Sequence, residues 1–157
     1  MAGRLRLELR QKQVFDNPQQ EAFLNILRTA NALEREVEAL FKQYGVTPAQ
    51  YNVLRILAGA GDTGRCCSDV SRRMVERHSD VTRLLDRMER SGLIHRERES
   101  KDRRAVRARL TLAGNIVLRQ LEQPLSALHQ KQFAAFSQFQ VLAMIEEMEK
   151  IRASNGK

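Results

Sequence analysis

The chain has 157 residues, of which 42% are hydrophobic, 29% charged and 5% aromatic, and its formal net charge is +8. That length suits one compact domain or one domain with an appended element, its core mostly aliphatic because tryptophan is absent. No run approaches the roughly 20 apolar residues of a membrane span, and MAGRLRLELRQKQ at the start lacks the apolar core of a signal peptide, so a cytoplasmic protein with no membrane partner is expected.

Alanine, leucine, glutamate, arginine and glutamine dominate, which favours helices. After a polar arm, NPQQ places Asn17 as N-cap, Pro18 at the first helical position and Gln20 at the third, a capping box with a proline start. Phe23, Ile26, Ala30, Leu33, Val37 and Leu40 recur at spacings of three and four and predict a long helix that stops near Tyr44 and Gly45. Thr47-Pro48-Ala49-Gln50 repeats the start signal for a second helix whose inner face includes Tyr51, Leu54 and Leu57. Gly59, Gly61 and Gly64 mark a loop, and a short helix follows from about Cys67 to Val75. Beyond a turn at Arg77 and His78, Ser79 is the expected N-cap of a helix that Gly92 ends, with Asp80 complementing its positive end. Val81, Leu84, Leu85 and Met88 form its apolar stripe.

Leu93-Ile94 begins a strand, Glu99-Ser100-Lys101-Asp102 reads as a turn, and Val106, Ala108 and Leu110 alternate with Arg107 and Arg109. A two-stranded hairpin is predicted. Thr111 caps another long helix, expected to kink at Pro124, and Ser137 with Gln140 opens a last one carrying Leu142, Ile145, Met148 and Ile151.

Charge is concentrated in the middle. Residues 65–110 hold 14 Lys/Arg against 8 Asp/Glu, a surplus of 6 out of the total of 8. Helix, turn, helix and basic hairpin is the layout of a winged helix-turn-helix, so the fold class is mainly α with a small β element (α+β). An α-helix fits the major groove of B-form DNA, where each base pair shows a distinct donor and acceptor pattern. The helix from Ser79 enters by its N-terminal part. Ser79 and Thr82 are short enough for bases or phosphates, and Arg83 can donate twice to a guanine edge. Asp80 has three readings: a cap, a brace for a neighbouring arginine, or an acceptor from a cytosine amino group. Arg72, Arg73 and Arg87 suit phosphates, which set affinity and register. At the hairpin tip Lys101, Arg103 and Arg104 stand beside Asp102, and arginine enters a narrow minor groove.

These residues closely resemble the MarR (multiple antibiotic resistance regulator) family of bacterial transcription factors. Val46-Thr47-Pro48-Ala49-Gln50-Tyr51 with Val53-Leu54 is similar to the start of its second helix; Val81 to Glu89 followed by Gly92-Leu93-Ile94 and Arg96 resembles its recognition helix and first wing strand; Asp102, Arg104, Leu110, Thr111 and Gly114 fit its wing signature. The resemblance implies a homodimer on a pseudopalindromic double-stranded DNA site, most often a repressor, with long N- and C-terminal helices forming a dimerisation domain. The chain then divides into residues 1–45 (arm and dimerisation helix), 46–111 (DNA-binding domain) and 112–157 (C-terminal dimerisation helices). From the residues alone, those apolar stripes could equally complete a monomeric core. The resemblance further implies a small phenolic or other amphipathic effector that releases DNA, and places Asp102 and Arg104 in the wing, while either Arg103 or Arg104 could enter the minor groove.

A protein-interaction module on the same scaffold is the alternative, since fold does not fix function; it would need an apolar patch where this helix carries arginines. An enzyme is not expected. His78, His95 and His129 are scattered, and no phosphate loop, metal spacing or cofactor motif is present. Cys66 and Cys67 are adjacent, which suits neither a zinc site nor an easy disulfide. Reduced thiols are expected there, with oxidant sensing as the minor alternative.

Overall fold

The computed structural model describes residues 4–75, 80–98 and 106–156. In chain order the elements are α1 (Leu5–Glu8), α2 (Pro18–Gln43), α3 (Pro48–Ala58), a 3-10 turn (Gly61–Thr63), β1 (Arg65–Cys66), α4 (Cys67–Arg73), α5 (Val81–Arg90), β2 (Ile94–Arg98), β3 (Val106–Leu110), α6 (Leu112–Gln132) and α7 (Gln138–Asn155).

The helix starts are chemically explicit. Asn17 Oδ1 accepts from Gln20 N at 2.7 Å, although the Gln20 side chain reaches back to Asp16 N rather than to Asn17. Thr47 with Gln50, and Ser137 with Gln140, form complete capping boxes. Thr111 Oγ1 caps α6 by accepting from Gly114 N at 3.1 Å. At the start of α5 the expected cap moves by one residue: Asp80, not Ser79, is the N-cap, its carboxylate accepting from Arg83 N at 3.0 Å. Ser79 lies outside the described residues. Helix α4 ends at Arg73, two residues sooner than its apolar spacing suggests, and α6 continues through Pro124 as one helix.

Three expectations change more substantially. The sheet has three strands, not two, in the order β1-β3-β2, all antiparallel. The third strand is only Arg65 and Cys66, paired with Ala108 and Arg107, too short to show an alternating pattern. Gly64 makes this pairing feasible. It adopts φ +62°, and a Cβ there would sit 2.4 Å from the Ala108 carbonyl oxygen. The polar arm also contains a turn of helix, α1, whose Leu5 is buried and whose Glu8 pairs with Arg28 of α2 at 2.7 Å. Lastly, only the C-terminal part of the α2 stripe packs inward: Phe41 is buried, Val37 and Leu40 lie against the core, and Phe23 is exposed.

The core gathers Val53, Leu54 and Leu57 of α3, Val70 of α4, Leu84, Leu85 and Met88 of α5, Ile94 and Ala108 of the sheet, and Leu121 of α6. Helix α5 therefore buries one stripe and leaves the other outside. Gly92, at φ +72°, ends it in the left-handed region and turns the chain into β2. Among the described residues, no helix is long and apolar enough to cross a membrane.

Candidate nucleic-acid interface

The polar face of α5 carries Thr82, Arg83 and Arg87, all exposed, directly opposite buried Val81, Leu84, Leu85 and Met88. This is a surface helix presented by its own core stripe. Arg83 is the most forward of these, with 83% of its side chain exposed, and its Nε lies 2.8 Å from Asp80 Oδ2. Asp80 thus performs two of the three roles read for it, capping the helix through Arg83 N and bracing the Arg83 guanidinium.

On α4, Asp69 collects cations. Arg65 Nη1 donates to it at 3.0 Å, Arg73 Nε at 3.1 Å, and Arg72 lies farther off at 3.9 Å with its side chain 77% exposed. The hydrogen bond from Arg73, followed by that from Arg65, holds the Asp69 carboxyl below the usual aspartate range. Arg73 is thereby committed in part to its own helix, while Arg72 remains extended toward solvent. Arg87 makes no ion pair among the described residues.

The hairpin tip is different. Lys101, Asp102, Arg103 and Arg104 lie outside the described residues, so only the strands that lead to them are described. Arg96, Arg107 and Arg109 on those strands are used internally. Arg107 Nη1 donates to the Thr63 and Gly64 carbonyls at 3.2 Å, and Arg109 pairs with Glu97 at 2.7 Å. Arg96, on β2, turns back onto α5, where its backbone N and Nε donate to the Glu89 carboxylate at 2.8 and 2.9 Å and Nη2 reaches Asp86. Sequence reasoning counted these cations with the basic excess but did not identify their partners. Glu89 and Arg96 are seven residues apart on different elements, a separation that carries no local signal.

Cys66 and Cys67 are free and half-buried. Burial raises the Cys67 thiol above the usual cysteine range, with Arg96 opposing, which disfavours the reactive thiolate. A cavity of about 360 Å³ lies behind the helix pair. It is walled by Glu34, Val37 and Phe41 of α2, Ala49, Tyr51 and Asn52 of α3, Met74 and Val75 after α4, and Leu125 and His129 of α6. The Phe41 and Tyr51 rings meet at 4.6 Å, and Asn52 Oδ1 accepts from Val75 N at 2.9 Å. The cavity therefore touches the segment leading from α4 toward α5.

The sequence profile of the MarR family matches residues 44–105. A MarR transcription factor from Planctomyces limnophilus is 33% identical, with a TM-score of 0.67 over 86% of this chain and 98% of that one. The chain belongs to the MarR family. The HTH-type transcriptional repressor MdtR of Bacillus subtilis (strain 168) is 41% identical over 80 residues, 51% of this chain and 50% of that protein, and the chain spans about half the length of the curated relatives it matches first. A mutant MarR from Escherichia coli, crystallised with operator DNA, shares the fold at a TM-score of 0.74 and 22% identity, over 80% of this chain and 89% of that one. The profile match ends between β2 and β3, and α6 and α7 lie beyond it.

Proposed function

We propose that this MarR-family chain is a sequence-specific double-stranded-DNA-binding transcriptional regulator, acting as a homodimeric repressor on a pseudopalindromic operator and released by a small amphipathic effector. The observation that carries the reading is the outward face of α5, where Thr82, Arg83 and Arg87 stand exposed on a helix held by its buried opposite stripe. Thr82 and Arg83, with Ser79 and Asp80 before them, face base edges in this reading. Arg72, Arg73 and Arg87 contact phosphates, and Lys101, Asp102, Arg103 and Arg104 form the wing tip. The operator complex of the Escherichia coli relative supports the groove assignment by analogy of fold.

Support for the dimer comes from surface the single chain leaves bare. None of the 18 residues of α7 is buried, and Phe139, Leu142, Ile145, Met148 and Ile151 are all exposed. A helix of this length is marginal without tertiary packing, and a second copy would cover it together with Phe23, Leu27 and Ile116. Residues 1–45 and 112–157 then serve dimerisation and residues 46–111 bind DNA. Repression rather than activation follows the named relative, MdtR. The effector would occupy the cavity between α2, α3 and α6. Selecting bound duplexes from a random pool tests the whole reading: the expected product is an inverted repeat with half-sites one helical turn apart, and equal recovery of unrelated sequences would refute it.

A further inference from the structure

Basic residues near a DNA-facing helix are commonly counted as phosphate contacts, and Arg96 does not behave as one. Its side chain is only 20% exposed and is occupied by two carboxylates of α5. Nε donates to Glu89 Oε2 at 2.9 Å, Nη2 lies 2.8 Å from the same oxygen and also donates to Asp86 Oδ1, and the backbone N donates to Glu89 Oε1 at 2.8 Å. We propose that Arg96 is a positioning residue that fixes the angle between the recognition helix α5 and the wing hairpin, so that the two dock on DNA as one rigid piece. This rests on the DNA-binding reading above.

The mechanics follow from where the two elements are joined. The chain passes from α5 to β2 through Gly92, a left-handed glycine that supplies a single pivot. Backbone bonds from Gly92 N to the Glu89 carbonyl (2.9 Å) and from Leu93 N to the Met88 carbonyl (3.0 Å) hold that junction but do not reach the rest of β2. The apolar core beneath, which includes Leu85 and Met88 of α5 and Ile94 of β2, is non-directional. Arg96 attaches β2 to α5 at a second point, two residues beyond the start of the strand, and a planar guanidinium gripping carboxylates resists rotation as a point charge does not. Close packing is incomplete on the side of Thr82. A cavity of about 250 Å³ lies between Cys67 of α4, Thr82 and Leu85 of α5, Arg96 of β2 and Val106 of β3, leaving room for helix and hairpin to shift relative to each other.

Binding of the full-length protein to its selected duplex, and to duplexes with single base-pair changes, would be measured by fluorescence anisotropy across a range of salt concentrations. Arg96→Gln is expected to lower the discrimination between these duplexes roughly ten-fold, with the slope of log affinity against log salt unchanged. Arg96→Lys, which keeps the charge and loses the fork, should lose discrimination to a similar degree, and stands in for Arg96→Gln if that variant fails to fold. Glu89→Gln, which leaves Arg96 in place, should show the same loss. A slope reduced by about one, with discrimination intact, identifies Arg96 as a phosphate contact and overturns the proposal. Lower thermal stability with discrimination unchanged in the folded variants also overturns it, leaving Arg96 a purely structural role. Failure of the wild-type protein to prefer any duplex would bring down the DNA-binding reading itself, whereas equal discrimination by wild type and variants sinks the positioning role alone.

Discussion

Gly114→Ala should destabilise the protein, although alanine is the better helix former. Gly114 is the third residue of α6, and its N–H donates to the capping Thr111 hydroxyl. A Cβ at this position would stand 2.3 Å from the Leu93 carbonyl oxygen and 3.3 Å from methyl groups of Leu54 and Leu110. The methyls can yield, but the carbonyl is fixed. It accepts from Thr111 N at 3.2 Å, and the Thr111 hydroxyl donates to the neighbouring Gly92 carbonyl at 2.6 Å, which ties the start of α6 to the segment where the chain leaves the α5 stop. Relieving the clash means opening the gap by about 1 Å, at an overpacking cost of roughly 1–3 kcal/mol, with weakened hydrogen bonds adding about 1 kcal/mol. The intrinsic gain from glycine to alanine is at most about 1 kcal/mol in a helix interior and smaller in a first turn. The net expectation is a loss of about 2 kcal/mol, or a fall in Tm of roughly 4–8 °C for a chain of this size. Urea and thermal unfolding at one fixed protein concentration would measure it, because the proposed dimerisation would make Tm concentration-dependent. An alanine variant as stable as the parent would refute the steric reasoning.

Four further outcomes are expected. Arg83→Ala should reduce discrimination at one base position of each half-site by about 1–3 kcal/mol while leaving random-duplex binding nearly unchanged; titration against base-substituted duplexes checks this. Ile145→Glu, placing a carboxylate in the exposed apolar row of α7, should shift the protein to a monomer in analytical ultracentrifugation, and an unaltered dimer would show that another surface holds the copies together. The Glu89 and Asp69 carboxyls are held below their usual range chiefly by hydrogen bonds from Arg96 and Arg73 respectively. A depressed folded-state value means the stabilisation is complete above the unfolded pKa, about 4 for both, and is lost as pH falls through the folded value. Unfolding midpoints should therefore decline below about pH 4, more steeply than in an Asp69→Asn variant. Finally, the 360 Å³ cavity is walled by Val37, Phe41, Tyr51, Met74 and Leu125. Calorimetry should find salicylamide binding there, with the heat lost in a Val37→Glu variant, and unchanged heat in that variant would refute an aromatic ligand in this cavity.

Much of this architecture is legible in the sequence because it is written locally. The caps at Asn17, Thr47, Thr111 and Ser137 each need only a side chain and the N–H three residues on, and the stripe of α5 needs only its own period. What escaped depends on partners elsewhere in the chain. Strand β1 is two residues long and exists because β3 lies alongside it and Gly64 allows the approach. Helix α1 is a single turn, too short for periodicity, and is held by Leu5 burial and the Glu8–Arg28 pair. The cap of α5 was ambiguous for another reason, since Ser79 and Asp80 are both good N-caps and their adjacency leaves the choice to tertiary packing. Within the site, the identity of the exposed face was legible, whereas the internal commitments of Arg65, Arg96, Arg107 and Arg109 were not.

Those commitments alter the electrostatics of the proposed interface. Carboxylates beside the arginines of a DNA-facing surface look counterproductive against a polyanion, yet Asp80 and Asp69 stand next to Arg83, Arg72 and Arg73. An exposed pair of this kind contributes about 0–1 kcal/mol, so exchanging Asp80 for a DNA partner costs little. The effect differs between sequences. On any duplex, releasing Arg83 leaves Asp80 facing phosphate charge, a penalty common to every site. A guanine edge that accepts two directed hydrogen bonds from the released guanidinium offsets that penalty, and a diffuse phosphate contact does so less well. Specificity is a difference of affinities, and here the carboxylates lower the sequence-independent part more than the specific part. The count of 14 Lys/Arg over residues 65–110 therefore overstates the grip on random DNA. Of the three proposed phosphate contacts, Arg73 is held by Asp69 at 3.1 Å, Arg72 only at 3.9 Å, and Arg87 makes no ion pair among the described residues, so Arg72 and Arg87 should contribute more than Arg73 to the salt dependence.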